Sequence, residues 1–135
     1  MSREEKTINL ATFRNMKSVF NEKIKPALEE NFSDSTWQDF NDLKEYLAFV
    51  EEQATNKGIA LSGIRFHFVA TEDGDNQLTI ALVPTYQDGE KHIDFDPAFS
   101  SENTPKKLSD IENESELYEE SGSIMDRTMP CPKFC

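Results

Sequence analysis

Ile64-Arg65-Phe66-His67-Phe68-Val69-Ala70, followed after one turn by Leu78-Thr79-Ile80-Ala81-Leu82-Val83, decides the fold. In the first run Ile64, Phe66, Phe68 and Ala70 fall on one face at a period of two, and Arg65 and His67 on the other. In the second, Leu78, Ile80 and Leu82 share a face in the same way. Glu72-Asp73-Gly74-Asp75-Asn76 between them is a turn cluster. The reading is an antiparallel hairpin with one strongly apolar face. Pro84 has no N–H to donate and is expected to end the second strand or mark an edge. Two strands alone are marginal in water. His92-Ile93-Asp94-Phe95, after the Gln87-Asp88-Gly89-Glu90 turn, is therefore a candidate third strand. The alternative is a homodimer through the unpaired hairpin edge.

Two helical patterns precede the hairpin. Asn9 is a good N-cap, and Leu10, Phe13, Met16, Val19, Phe20, Ile24, Ala27 and Leu28 follow mostly three or four apart. Pro26 should kink or split this helix. Ser33-Asp34-Ser35-Thr36 is expected to cap a second helix, with Trp37 one turn before Phe40. Phe40, Leu43, Leu47, Val50 and Ala54 follow at spacings of 3, 4, 3 and 4. Asn56-Lys57-Gly58 supplies a cation and a C′ glycine to close it.

The chain has 135 residues, 26 acidic against 14 basic, for a net charge of −12. Too few cations are available to neutralise phosphates, so nucleic acid is not an expected partner, nor is an anionic membrane surface. The N-terminus has no apolar signal region and no stretch is apolar enough to span a bilayer. The expected setting is the cytoplasm, where both cysteines rest as thiols.

Those cysteines close an acidic tail as Cys131-Pro132-Lys133-Phe134-Cys135. Two thiolates supply half of a tetrahedral zinc site, and the other soft ligands are His67 and His92. A Cys2His2 set exists by arithmetic but matches no zinc-finger spacing. A redox pair is a second reading. The plainest is a terminus docked through Phe134 and small buried thiols. Arg65 and His67 are neighbours on the polar strand face, with Thr79 nearby on the paired strand. They suit anion binding or acid–base work, or simply an exposed polar face. Asp73, Asp75 and Asn76 lack the remainder of a calcium loop. No glycine-rich phosphate cradle is present. No cofactor is expected, and no catalytic residue can be assigned.

Gly63-Ile64-Arg65-Phe66-His67-Phe68, Leu82-Val83-Pro84-Thr85 and the terminal Cys131-Pro132-Lys133-Phe134-Cys135 together resemble a group of small uncharacterised bacterial proteins from Bacteroidota. That group shares such a hairpin and a CPPxC-like ending; Lys133 stands where the ending often has a second proline. The resemblance covers residues 59–86 and the last ten or so. It implies a bacterial cytoplasmic setting and no activity.

The expected fold is α+β. Residues 1–97 form a compact domain of two amphipathic helices on a small antiparallel sheet, and residues 98–135 an acidic tail, irregular over 98–123. The expected core is Phe13, Val19, Phe20, Phe40, Leu43, Leu47, Val50, Ile64, Phe66, Phe68, Leu78, Ile80 and Leu82. Val69, Ala81, Val83 and Tyr86 would lie on the opposite sheet face. The leading functional expectation is a non-enzymatic protein-interaction module using its acidic surface and its tail. A metal- or redox-responsive protein and a small enzyme or ligand-binding protein around Arg65 and His67 are the alternatives. On the leading reading, the purified chain carries two free thiols and no stoichiometric zinc. Intact mass, thiol titration and metal analysis on one sample check this; bound zinc, or a disulfide that forms and breaks reversibly, would turn attention to the cysteine pair.

Overall fold

The computed structural model describes residues 6–28, 34–71, 76–110 and 129–131. It is α+β: two helices and a three-stranded antiparallel sheet, joined by a second, two-stranded sheet. Helix α1 spans Leu10–Lys23 and is capped by Asn9, whose side-chain oxygen accepts from the Thr12 N–H at 2.8 Å. The sequence splits where Pro26 stands: α1 ends, and Lys25–Ala27 is a single 3-10 turn.

Strand β1, Ser35–Trp37, occupies the stretch expected to cap the next helix. The cap is instead Asp39, whose carboxylate accepts the Asp42 N–H at 3.0 Å, and helix α2 runs Phe40–Asn56. Serine and threonine both suit caps, but Thr36 and Trp37 are also strand formers. What decides here is a backbone partner distant in sequence: β1 pairs antiparallel with β5, Met129–Cys131, setting Ser35 opposite Cys131. Both short strands lie against the main sheet.

That sheet has the order β2-β3-β4. β2 is Gly63–Ala70, β3 Leu78–Asp88 and β4 Lys91–Asp94. The third strand thus forms as the alternation suggested. Gly89 takes a left-handed φ of 65° in the two-residue connection between Asp88 and Lys91. Pro84 does not end β3, which passes through it as the central strand. It is tolerated because the ladder needs only its carbonyl, which accepts the Phe95 N–H at 3.1 Å.

Helix α2 ends as expected, with Gly58 at φ +69° just past its cap. Lys57 does not turn to the helix's own carbonyls. Its ammonium donates to the Pro97 and Ala98 carbonyls at 2.5 and 3.1 Å, while its own carbonyl accepts from the Asn103 N–H. These bonds clamp the chain beyond β4 onto the helix end. The Asp96 N–H donates to the Lys106 carbonyl, the Lys106 N–H to Ser100 Oγ, and Phe95 bridges Lys107. Residues 98–110 are irregular but tied down, so the compact part extends past the expected 1–97 span to Asp110. Residues 111–128, which include half of the stretch expected to be irregular, lie outside the described residues.

The core differs from the expected set. Val50 and Leu82 are buried, but Phe13, Val19, Phe40, Leu47, Phe66 and Phe68 are exposed. Phe20, Leu43, Ile64, Leu78 and Ile80 are intermediate. The enclosed cluster is Ala54, Ile59 and Phe95, with Leu61 and Tyr86 packed against it. Tyr86 meets Phe95 edge-on at 5.3 Å, on the Leu82 face and not the opposite one. Periodicity marked the apolar faces of β2 and β3, but burial is uneven: it is greatest at the end of the sheet under α2 and the returning segment and least at Phe66 and Phe68 of β2. No described residue of α1 is buried. No helix among the described residues is long and apolar enough to cross a membrane.

Ending the chain at Pro97 removes the Asn103 and Lys106 contacts and should lower the urea midpoint sharply, at about 1 kcal/mol for each lost hydrogen bond. Ending it at Asp110 should cost distinctly less. Equal midpoints for the two truncations would show that residues 98–110 are not part of the folded unit. Gly58→Ala should cost at least about 1 kcal/mol, because the site combines positive φ with a direct clash of the added carbon on the Asn103 side chain.

Candidate functional site

On the sheet face opposite Phe66, the register brings residues of all three strands together. Arg65 pairs with Val83 and His67 with Ala81 across β2 and β3; Thr85 pairs with Asp94 across β3 and β4. Asp94 therefore stands across the central strand from Arg65 and His67. Arg65 donates through Nη1 to Asp94 Oδ1 at 2.9 Å and through Nη2 to the His92 carbonyl at 3.0 Å. His67 Nε2 lies 2.7 Å from Asp94 Oδ2. An ionised carboxylate only accepts, so Nε2 is the donor. A second knot lies alongside. His92 Nδ1 is 2.9 Å from Ser62 Oγ, which is 2.9 Å from Thr85 Oγ1. Ser62, Gly63, Ile64, Arg65, Thr85 and His92 line an open depression of about 230 Å³.

A serine against a histidine is the beginning of a nucleophile–base pair. Here the acid that would orient such a histidine is committed elsewhere: both Asp94 oxygens hold Arg65 and His67. Asp94 also neutralises Arg65, leaving no spare positive charge for an anion. The Arg65 and His67 side chains are 45% and 41% exposed, where water screens the charges. The arrangement is best read as a tether from β2 to β4 over the buried Val83.

Alternation correctly placed Arg65 and His67 side by side, but their partner is Asp94 and not Thr79. His92 belongs to the neighbouring knot. Cys131 is placed by its backbone in β5, opposite Ser35. Phe134 and Cys135 lie outside the described residues. Among the described residues no three His, Cys, Asp or Glu side chains gather as a metal site. Asp94 and Ser62 escaped the sequence reading. Asp94 stands two positions from His92 in the suspected third strand, a signal that acquires meaning only once the β3–β4 register is known.

The other sheet face is the more unusual surface. Phe66 and Phe68 are 58% and 78% exposed, and Phe40 at the start of α2 is 71% exposed. Leu10, Phe13, Met16 and Val19 of α1 are each at least half exposed. A cleft of about 100 Å³ is lined by Phe20 of α1, Ser35 and Thr36 of β1, and Phe68, Leu78 and Ile80 of the sheet. Comparison with protein-family models, curated proteins and solved structures finds no match to this chain.

A double-mutant cycle on Arg65→Ala and Asp94→Asn, read from urea unfolding, should give a coupling of about 0.2–1 kcal/mol that shrinks as salt is raised. A large, salt-insensitive coupling would mark a desolvated functional pair instead.

Proposed function

We propose that this chain is a non-enzymatic protein-interaction module of the cytoplasm, binding a protein segment that is apolar on one side and basic on the other. The carrying observation is the uncovered aromatic surface of the sheet, Phe66 and Phe68, in a chain of net charge −12. Monomeric proteins rarely leave large contiguous apolar patches in water. Solvent-exposed acids of α2, Asp42, Glu45, Glu51 and Glu52, accompany the exposed Phe40 and Phe49 of the same helix. Apolar contact would supply affinity and the acidic surroundings would favour a cationic partner over an anionic one. The acidic tail is the second contact element in this reading. Its β5 strand, which contains Cys131, returns to β1 beside the sheet, and Phe134 and Cys135 come next in the sequence.

The polar network of Arg65, His67 and Asp94 supports a binding function better than a reaction. Its charges are paired with one another, and the depression beside it is open.

The test is titration of the full chain with a designed helical peptide of leucine and lysine, followed by calorimetry. Phe66→Thr with Phe68→Thr keeps strand propensity and should weaken binding roughly tenfold or more, with unfolding free energy changed by only about 0.5 kcal/mol. Binding should also weaken as salt rises. Undiminished binding by the double variant, or none by the parent chain, would refute the proposal.

A further inference from the structure

The sheet has two outer strands, and they are protected differently. β4 is four residues long, and directly beyond it Phe95 is bridged by Lys107 of the returning segment. β2 is eight residues long, with β3 on one side and, among the described residues, no strand on the other.

The hydrogen bonds reveal which backbone groups β2 presents at that edge. In an antiparallel ladder, alternate residues aim both N–H and C=O to the same side. The Thr71 N–H donates to the Gln77 carbonyl at 2.9 Å, and the Ser62 N–H to the Thr85 carbonyl at 2.8 Å. Odd-numbered residues of β3 therefore face β2. On its other side the Pro84 carbonyl accepts from Phe95, and the Leu82 carbonyl, past the end of β4, accepts from the Tyr46 hydroxyl at 2.9 Å. Even-numbered residues of β3 thus face away from β2, as the ladder requires. By the same register, Gly63, Arg65, His67 and Val69 spend their backbone groups on β3. Ile64, Phe66, Phe68 and Ala70 aim theirs outward.

These four residues also carry the side chains of the apolar face. Among the described residues, backbone groups that no strand pairs and exposed aromatic rings thus belong to the same stretch of β2. Within β2 none of the usual devices that blunt an edge is present. The strand contains no proline and no lysine, and it pairs with β3 in unbroken register over its whole length. Its one charged group, Arg65, is folded over the sheet to Asp94 and the His92 carbonyl.

We infer that the β2 edge is a homodimer interface: two copies pair β2 with β2, antiparallel about a two-fold axis, into one six-stranded sheet. The inference adds a second copy at the edge of the sheet whose aromatic face is proposed above as a docking site; edge pairing leaves that face open to the peptide, and the inference rests on the face being uncovered. A second copy fits for three reasons. An isologous contact needs the same groups on both sides, and an edge whose even-numbered residues all point outward satisfies this with itself. With Phe66 on the axis, Ile64 of one copy meets Phe68 of the other, and three residue pairs exchange about six N–H···O bonds. The facing side chains are then aromatic on aromatic and aromatic on β-branched, the favourable cross-strand combinations. On the opposite face Arg65 stands against His67 of the second copy, each already held by its own Asp94. The third reason is charge. Two copies of net charge −12 repel, yet residues 57–71 contain no acidic side chain and two basic ones. β2 lies within that acid-free stretch, so the paired strands themselves bring no acidic side chains together.

Sedimentation equilibrium of the full chain tests this. A dimer is expected, and it should tighten as salt rises because screening relieves repulsion between like-charged copies. The basic peptide should show the opposite trend. Phe68→Pro removes an outward N–H that β3 does not use, so it should leave a folded protein and weaken the dimer roughly tenfold or more. Phe66→Lys, a charged gatekeeper at the axis, should do the same without altering the backbone. Val69→Pro removes an inward N–H and should disrupt the hairpin itself. A monomer at high micromolar concentration in high salt would overturn the inference, as would a dimer that withstands both Phe68→Pro and Phe66→Lys. A monomer that still binds the basic peptide overturns the dimer alone; a dimer that does not bind it overturns the interaction reading alone.

Discussion

Phe95 holds the fold together. It is fully buried against Ala54 and Ile59, with the Tyr86 ring edge-on to it. Through these contacts it joins the end of α2, the link into β2, the central strand and the segment returning after β4. Its backbone is equally committed, donating to the Pro84 carbonyl and bridging Lys107. Buried aromatic groups combine large apolar area with defined geometry, so one side chain can fix four pieces of chain. Lys57 closes the same junction from outside by gripping the Pro97 and Ala98 carbonyls. The conformation of Gly58 lets Asn103 lie against the helix end. The stable part of the molecule is thus this corner, and not the full helix-on-sheet layer that the apolar patterns suggest.

One consequence is a sheet with two dissimilar faces. Over β2, β3 and β4 the polar face is internally satisfied: Asp94 receives Arg65 and His67, and Ser62 joins His92 to Thr85. Groups already paired with one another have little left for a substrate. The apolar face is covered along the central strand, where Leu82 is buried and Leu78 and Ile80 are half-buried, but Phe66 and Phe68 of β2 are exposed, as are Leu10, Phe13, Met16 and Val19 of α1. The free energy of removing such groups from water is available to whatever covers them. This asymmetry is the observation on which the proposed recognition function rests.

The local elements were legible because their causes are local. The Asn9 cap, the break at Pro26, the Gly58 terminus and the alternation of β2 and β3 are each set by a few adjacent residues, and the structure contains each of them. The Arg65–His67 pair was legible for the same reason, since strand alternation alone makes them neighbours. Their acid, Asp94, was not, because it arrives from β4 in a register that residues near Arg65 do not encode. Ser35-Thr36-Trp37 shows the same limit from the other side. As a local signal it suits a helix cap, but pairing with Met129–Cys131 makes it a strand.

The α+β class, the hairpin, the two helices, the net charge and the apolar side of each element therefore follow from the order of residues alone. Short-range sterics, hydrogen bonding and periodicity suffice for these. The tertiary structure alone decided which apolar faces are covered, that Phe95 and not Phe66 or Phe68 fills the core, and that Asp94 binds Arg65 and His67. Burial depends on what packs against a face, and packing is a property of residues distant in the chain. A period-two run reads the same whether its apolar side meets a helix, a second copy or water.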